Sequence, residues 1–391
     1  MLIKQVRISN LLSYGPNSEL IELGPLNVLI GPNGSGKSNF LEALSLLQAA
    51  PGKITDPIRD GGGIQDWLYK SAERTKRDAR IEVLMPNATH PKALRYGLAF
   101  HEVGGRFELS DEFLENETSD PGRSQPYFFY QWRDGHPVIN TTVKKLGERK
   151  LQRESLKPDQ SILAQKRDAD LYPELTFVAD QFQAMRFYRE WTFGRYAAPR
   201  LPQKTDLPND QLEQDSSNLG LVINRLRMNV TARKRLIEAL RAVYDGIEDV
   251  DVRVEGGTAQ VFLIEKNGIM PATRLSDGTL RYLSMLALLC DPAPPPFIAI
   301  EEPELGLHPD VLPTLARLLI EASERTQLVV TTHAPGLIDA LTDTPESVFV
   351  CERDQDGTSL ERLDANQLTP WLEKYRLGEL WTRGEIGGTR W

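Results

Sequence analysis

At 391 residues the chain has room for two or three units with sizeable cores, and its net charge of −9 excludes an overall basic coat for nucleic acid. Two cysteines, Cys290 and Cys351, exclude a disulfide framework and paired metal spacing, which points to a reducing, cytoplasmic setting. The stretch Leu283 to Cys290 falls far short of the ~20 apolar residues a membrane span needs, and Met1 to Ile8 carries basic residues without the apolar core of a secretory signal; no membrane partner is expected.

The opening reads as β-rich, with strands over 2–8, 20–23 and 26–30 separated by Tyr14-Gly-Pro-Asn and Gly24-Pro25 turns. The third strand feeds Gly31-Pro-Asn-Gly-Ser-Gly-Lys-Ser38, and Phe40, Leu41, Leu44 and Leu47 then mark one face of a helix that Pro51-Gly52 ends. Further strands are expected over 79–84 and 94–101. The span from about 110 to 210 mixes charge, proline and aromatics without a clear period and reads as an insertion, with charged helices over 143–156 and 232–244. A hairpin over 250–254 and 259–265 should return the chain to the sheet. Thereafter helix (278–289), strand (297–300), helix (311–323), strand (327–331) and helix (335–341) alternate, which implies an α/β fold with a central, mainly parallel sheet. The expected organisation is a discontinuous head, 1–105 and 247–365, an inserted, mixed and partly helical lobe, 106–246, and a tail, 366–391.

Gly31 to Ser38 fits the P-loop pattern, whose glycines let backbone amides close around phosphates. Asn33, Gly34, Gly36, Lys37, Ser38 and Asn39 are the candidate ATP ligands; Lys37 would neutralise β- and γ-phosphate oxygens, and the Ser38 hydroxyl would join Mg²⁺. Phe297-Ile-Ala-Ile is a buried-strand pattern delivering Glu301 and Glu302 to the sheet edge. Glu301 is assigned to the metal and Glu302 to the attacking water, with Glu304 an alternative for these roles. His333 ends the strand Leu328-Val-Val-Thr-Thr and is the candidate γ-phosphate sensor. Leu275-Ser-Asp-Gly-Thr opens a helix, so Ser276 and Gly278 offer either an anion site or an ordinary N-cap beside a glycine.

With these segments in place the chain resembles the ABC-type ATPase heads of the SMC, RecF and OLD-like group, small stand-alone ATPases of the AAA-type included. The likeness rests on Ile3 to Asn10, Gly31 to Asn39, Leu275-Ser-Asp-Gly278, Glu301-Glu-Pro-Glu304 and Leu307-His-Pro309. It implies a P-loop NTPase of ABC-head topology that hydrolyses ATP with Mg²⁺. It also implies a homodimer sandwiching two ATP molecules, in which Ser276 and Gly278 reach the partner's γ-phosphate. Roles in DNA repair or anti-phage defence follow from the same resemblance, with DNA and a separate TOPRIM-type nuclease as candidate partners. Asp277 stands where transporter relatives have glycine, Glu301 where many relatives have aspartate, and Gln65 is the candidate for a Q-loop glutamine. Long heptads, which a full SMC protein needs, are missing. A slow ATP-sensing module and a transporter ATPase subunit are the competing readings.

Two basic clusters are candidate DNA contacts. One is Arg225, Arg227, Arg233, Lys234, Arg235 and Arg241 against Glu238; the other is Lys144, Lys145, Arg149, Lys150, Arg153 and Lys157, diluted by Glu148 and Glu154. In the tail, Trp381 and Trp391 either anchor a partner or pack onto the chain's own head.

Overall fold

The computed structural model describes residues 1–70, 78–87, 91–133, 136–140, 148–150 and 156–387, with the backbone alone at Arg133 and 148–150. Contacts divide the chain into two units. One comprises Met1–Gly24, Gly31–Met185 and Val350–Glu361; the other comprises Pro25–Ile30, Arg186–Phe349 and Arg362–Trp391. The division falls at Met185, inside the span 106–246.

In the first unit, β1 (Gln5–Ser9) and β2 (Ile21–Glu22) pair antiparallel; β3 (Leu26–Ile30) belongs to the second unit. Then come α1 (Lys37–Ala49), α2 (Thr55–Asp60), α3 (Ile64–Trp67), β4 (Ala79–Met85) and β5 (Leu94–Val103). The span read as an aperiodic insertion instead continues this sheet through β6 (Arg106–Asn116), β7 (Phe128–Arg133), β8 (His136–Asn140) and β9 (Glu148–Lys150), in the order β2-β1-β4-β5-β6-β7-β8-β9. The expected helix over 143–156 is thus corrected: its described part forms an edge strand paired with β8. Helices α4 (Ile162–Gln165) and α5 (Pro173–Gln183) follow, and Phe182 of α5 meets Tyr96 of β5 edge-on at 5.3 Å.

The second unit holds the parallel sheet. After β10 (Arg186–Tyr188) and β11 (Gln203–Lys204), α6 (Leu219–Met228) and α7 (Val230–Val243) precede the hairpin β12 (Ile247–Glu255) and β13 (Thr258–Glu265). This hairpin does not rejoin the parallel sheet; with β11 and β14 (Gly268–Pro271) it makes a separate antiparallel sheet. Then α8 (Asp277–Leu289), β15 (Phe297–Glu301), α9 (Leu312–Ser323), β16 (Gln327–Thr331) and α10 (Pro335–Asp339) alternate as expected. Strands β10, β15, β16 and β3 lie side by side, all parallel, with Tyr188 opposite Ile300, Glu301 opposite Thr331, and Thr331 opposite Leu29. This register brings the carboxyl ends of all four to one edge. Every residue of β3 and β16 is buried, as a central parallel strand covered on both faces requires. Asn27, the polar residue within β3, donates its amide to the Leu328 carbonyl at 2.9 Å.

Strands β17 (Val348–Arg353) and β18 (Thr358–Arg362) cross the division between units. Helices α11 (Ala365–Leu372) and α12 (Leu377–Thr382) close the chain. In the tail α12 packs on α10, where a Cβ on Gly378 would stand 2.3 Å from the Pro335 carbonyl, and Trp381 is buried. Trp391 lies outside the described residues.

Candidate functional site

The glycine-rich loop leaves the edge directly after Ile30. Gly31, Gly34 and Gly36 take φ of 148°, 78° and 109°, conformations that cost side-chain-bearing residues strain. Space forbids a side chain as well: a Cβ on Gly31 would meet the Cys351 carbonyl at 2.3 Å, and one on Gly36 the Thr358 hydroxyl at 2.2 Å. At Gly34 nothing lies within 4 Å, so the loop is open there. Beneath it Thr358 Oγ1 donates to the Ser35 carbonyl at 2.9 Å, and the Cys351 thiol, pushed up to about 11 by burial, donates to the same oxygen at 3.3 Å.

Lys37 is buried and its ammonium donates to the Gly31 and Pro32 carbonyls at 2.8 and 3.0 Å. Asn33 and Ser38 are exposed and Asn39 is half-buried. Helix α1 begins at Lys37 with no side-chain cap and no acidic residue in its first turn. Unclosed amides, the positive end of a helix dipole and a lysine ahead of them suit a polyphosphate, so the residues present fit ATP.

At the edge of the second unit, β15 ends in Glu301, whose Oε2 accepts from Arg189 Nε at 3.0 Å and whose carbonyl accepts from the Trp191 indole at 3.3 Å. Glu302 is held at φ 46°, a left-handed conformation unusual for glutamate. Its amide donates to the Thr331 carbonyl at 3.0 Å and its carbonyl accepts from Arg281 at 2.8 Å. Its Oε1 stands 3.6 Å from His333 Nε2. Glu304 is engaged otherwise: its Oε1 accepts from the Thr332 hydroxyl at 2.7 Å and the His333 amide at 2.9 Å, so it shapes the loop after β16. Of the two, Glu302 faces His333 with its side chain and Glu304 is tied to backbone and hydroxyl after β16. Glu302 and His333 face one another here, while among the described residues no group of three or more His, Cys, Asp or Glu side chains is placed to hold a metal ion.

Ser276 is the N-cap of α8: its Oγ accepts from the Thr279 amide at 3.0 Å. Gly278 sits where a Cβ would be 2.8 Å from the Gly306 carbonyl, so close packing against the Glu304-to-Leu307 turn demands glycine. Gln65 is exposed on α3.

Sequence reasoning missed Arg189, Trp191, Arg200 and Arg281. Arg281 lies on α8, over the Trp191 ring at 5.3 Å, and burial lowers its guanidinium to about 10 although the charges of Glu304 and Glu302 oppose the shift. The first basic cluster is largely neutralised: Arg225 pairs with Asp291, Arg227 with Asp251, Arg233 with Asp249 and Lys234 with Glu238, while Arg241 donates to the Ile247 and Glu248 carbonyls. In the second cluster Lys144, Lys145, Arg153 and Glu154 lie outside the described residues, as do the side chains of Glu148, Arg149 and Lys150. No helix among the described residues is long and apolar enough to cross a membrane.

This mixed α/β architecture, with antiparallel and parallel sheets, resembles that of Smc head domains. An Smc head bound to the C-winged helix domain of ScpA is similar over 94% of this chain and 99% of that one, with a TM-score of 0.60 and 12% identity. The Smc head domain derived from Pyrococcus furiosus, with an extended coiled coil and bound to the C-terminal domain of ScpA, gives 95%, 99%, 0.60 and 13%. At such identities the likeness is one of fold. A chromosome partition protein Smc from Synechococcus sp. is 34% identical over 84 residues, 21% of this chain but only 7% of that protein. The family model described as "AAA domain, putative AbiEii toxin, Type IV TA system" matches residues 26–339, and the chain belongs to that family. The family is shown over residues 26–339, and with the Smc heads the chain shares the fold.

Proposed function

We propose that the chain binds and hydrolyses ATP, and that two copies close head to head around two nucleotides. The observation that carries this reading is the glycine-rich loop: three left-handed glycines, two of them with no room for a Cβ, run into an uncapped helix start beside a buried lysine. That combination serves phosphate better than any other ligand.

In this reading Lys37 and the amides of Asn33 to Asn39 bind and orient the triphosphate. Ser38 and Glu301 would hold Mg²⁺, which when bound supplies positive charge to the phosphate oxygens. Glu302 orients the attacking water and accepts its proton on the carboxylate, while His333 donates to the γ-phosphate. Ser276 and Gly278 belong to the turn that completes the partner's site. The head is 1–105 and 247–365, and it works in DNA maintenance or defence with a separate nuclease chain. Neutralisation of the cluster on α6 and α7 favours a protein partner over DNA at that surface.

The test is paired. Phosphate release by the wild type should exceed that of Lys37→Ala by at least about tenfold, the scale of a lost phosphate contact. Glu302→Gln should accumulate as a dimer with ATP and Mg²⁺ in sedimentation velocity. A Glu302→Gln protein that stays monomeric at saturating ATP overturns the sandwich.

A further inference from the structure

We infer that Arg200 is a positioning residue for the Ser276 turn, cancelling the charge of Asp277 so that the turn can receive a triphosphate; this rests on the nucleotide-sandwich reading. Asp277 is the first residue of α8, where its carboxylate takes up the positive end of the helix dipole. Left alone it would repel the polyphosphate that the same turn has to meet.

Arg200 ends a short 3₁₀ turn, Ala198–Arg200, and its side chain is only 10% exposed. Its Nη2 pairs with Asp277 Oδ1. The rest of the fork is spent on the chain leading into the turn: Nη1 donates to the carbonyls of Leu275, Thr273 and Ala272, the last two at 3.4 and 3.5 Å, and Nε donates to the Gly194 carbonyl at 3.2 Å. One buried guanidinium therefore fixes three carbonyls of residues 272–275 and draws the aspartate back towards itself. Lysine would keep the charge that Asp277 needs but not the planar five-donor fork that reaches the carbonyls. The charge of Asp277 is cancelled by Arg200 as a result, and Ser276 remains in place as the cap of α8.

The experiment measures ATP-driven dimerisation in the Glu302→Gln background by sedimentation. Arg200→Gln should weaken the dimer by about tenfold, the scale of one charge-assisted hydrogen-bonded pair. Adding Asp277→Asn to Arg200→Gln should recover most of that loss, which a purely scaffolding arginine would not allow. Should Arg200→Gln fail to fold, Arg200→Lys replaces it: the cation is kept, so the dimer should weaken by no more than about threefold. Unchanged dimerisation of Arg200→Gln, a loss that Asp277→Asn does not restore, or a tenfold loss in Arg200→Lys each overturns the inference. A Glu302→Gln parent that does not dimerise with ATP overturns the sandwich and this inference together, whereas a dimerising parent with unresponsive Arg200 variants overturns this inference alone.

Discussion

Gly278 and Gly306 are in such close apposition that a Cβ on the first would stand 2.8 Å from the carbonyl oxygen of the second. The opening of α8 and the turn after Glu304 thus interlock through backbone. Gly278→Ala must push that carbonyl away, at a cost of ~1–3 kcal/mol for overpacking. Urea denaturation should record the loss, and ATP-driven dimerisation should weaken with it.

Arg281 joins α8 to the strained backbone of Glu302. A glutamate at φ 46° is retained only if its surroundings hold it, and Thr331, the Leu305 amide and Arg281 are among the groups that do so. Arg281→Met removes one of two donors to the Glu302 carbonyl, leaving the Leu305 amide, and takes away the cation over Trp191. Turnover should fall by about tenfold with little change in KM for ATP, because the substitution disturbs the residue proposed to orient water and spares the glycine-rich loop. Steady-state phosphate release over a range of ATP concentrations separates the two parameters.

Gly36→Ala places a methyl group against Thr358 and Ser13 at φ 109°. Either the loop or its Thr358 and Ser13 support has to move. Nucleotide binding should drop by at least about tenfold, a loss of ~1.4 kcal/mol or more, in a titration with a fluorescent ATP analogue.

Glu112 gives a pH dependence of its own. Burial raises its carboxyl from 4.5 to about 7, against the opposing hydrogen bonds from Ser161, Ile162 and Tyr96. The folded chain therefore binds this proton more tightly than the unfolded chain. The resulting stability is fully present below about pH 4.5 and is lost as pH rises through about 7. The contribution is ~3 kcal/mol in scale. Denaturation midpoints at pH 5 and pH 8 should differ for the wild type, and Glu112→Gln, which cannot titrate, should lose that part of the difference.

Glu112 also shows why part of the fold was hidden. In β6 the inward positions include Glu112 and Asn116, and a register shift opposite Ala99 and Phe100 breaks the two-residue period further. Hydropathy along Arg106–Asn116 consequently does not alternate, and a sheet strand resembles an aperiodic insertion. By contrast β15 and β16 are short apolar runs that end in polar residues, and β3 is apolar but for Asn27; they were legible because burial on both faces leaves a run of apolar residues.

The sequence by itself determined the local devices: the glycine loop and its helix, the paired carboxylates after β15, the histidine after β16, and the serine-capped start of α8. Each depends on residues within a few positions of one another, so spacing alone exposes it. Only the tertiary structure decided which charges are engaged. Arg189 meets Glu301, Arg200 meets Asp277, and Asp249, Asp251 and Asp291 cancel a cluster that reads as a basic surface in one dimension. These partners are brought together by strand pairing and helix packing, and electrostatic compensation follows distance in space and not separation along the chain.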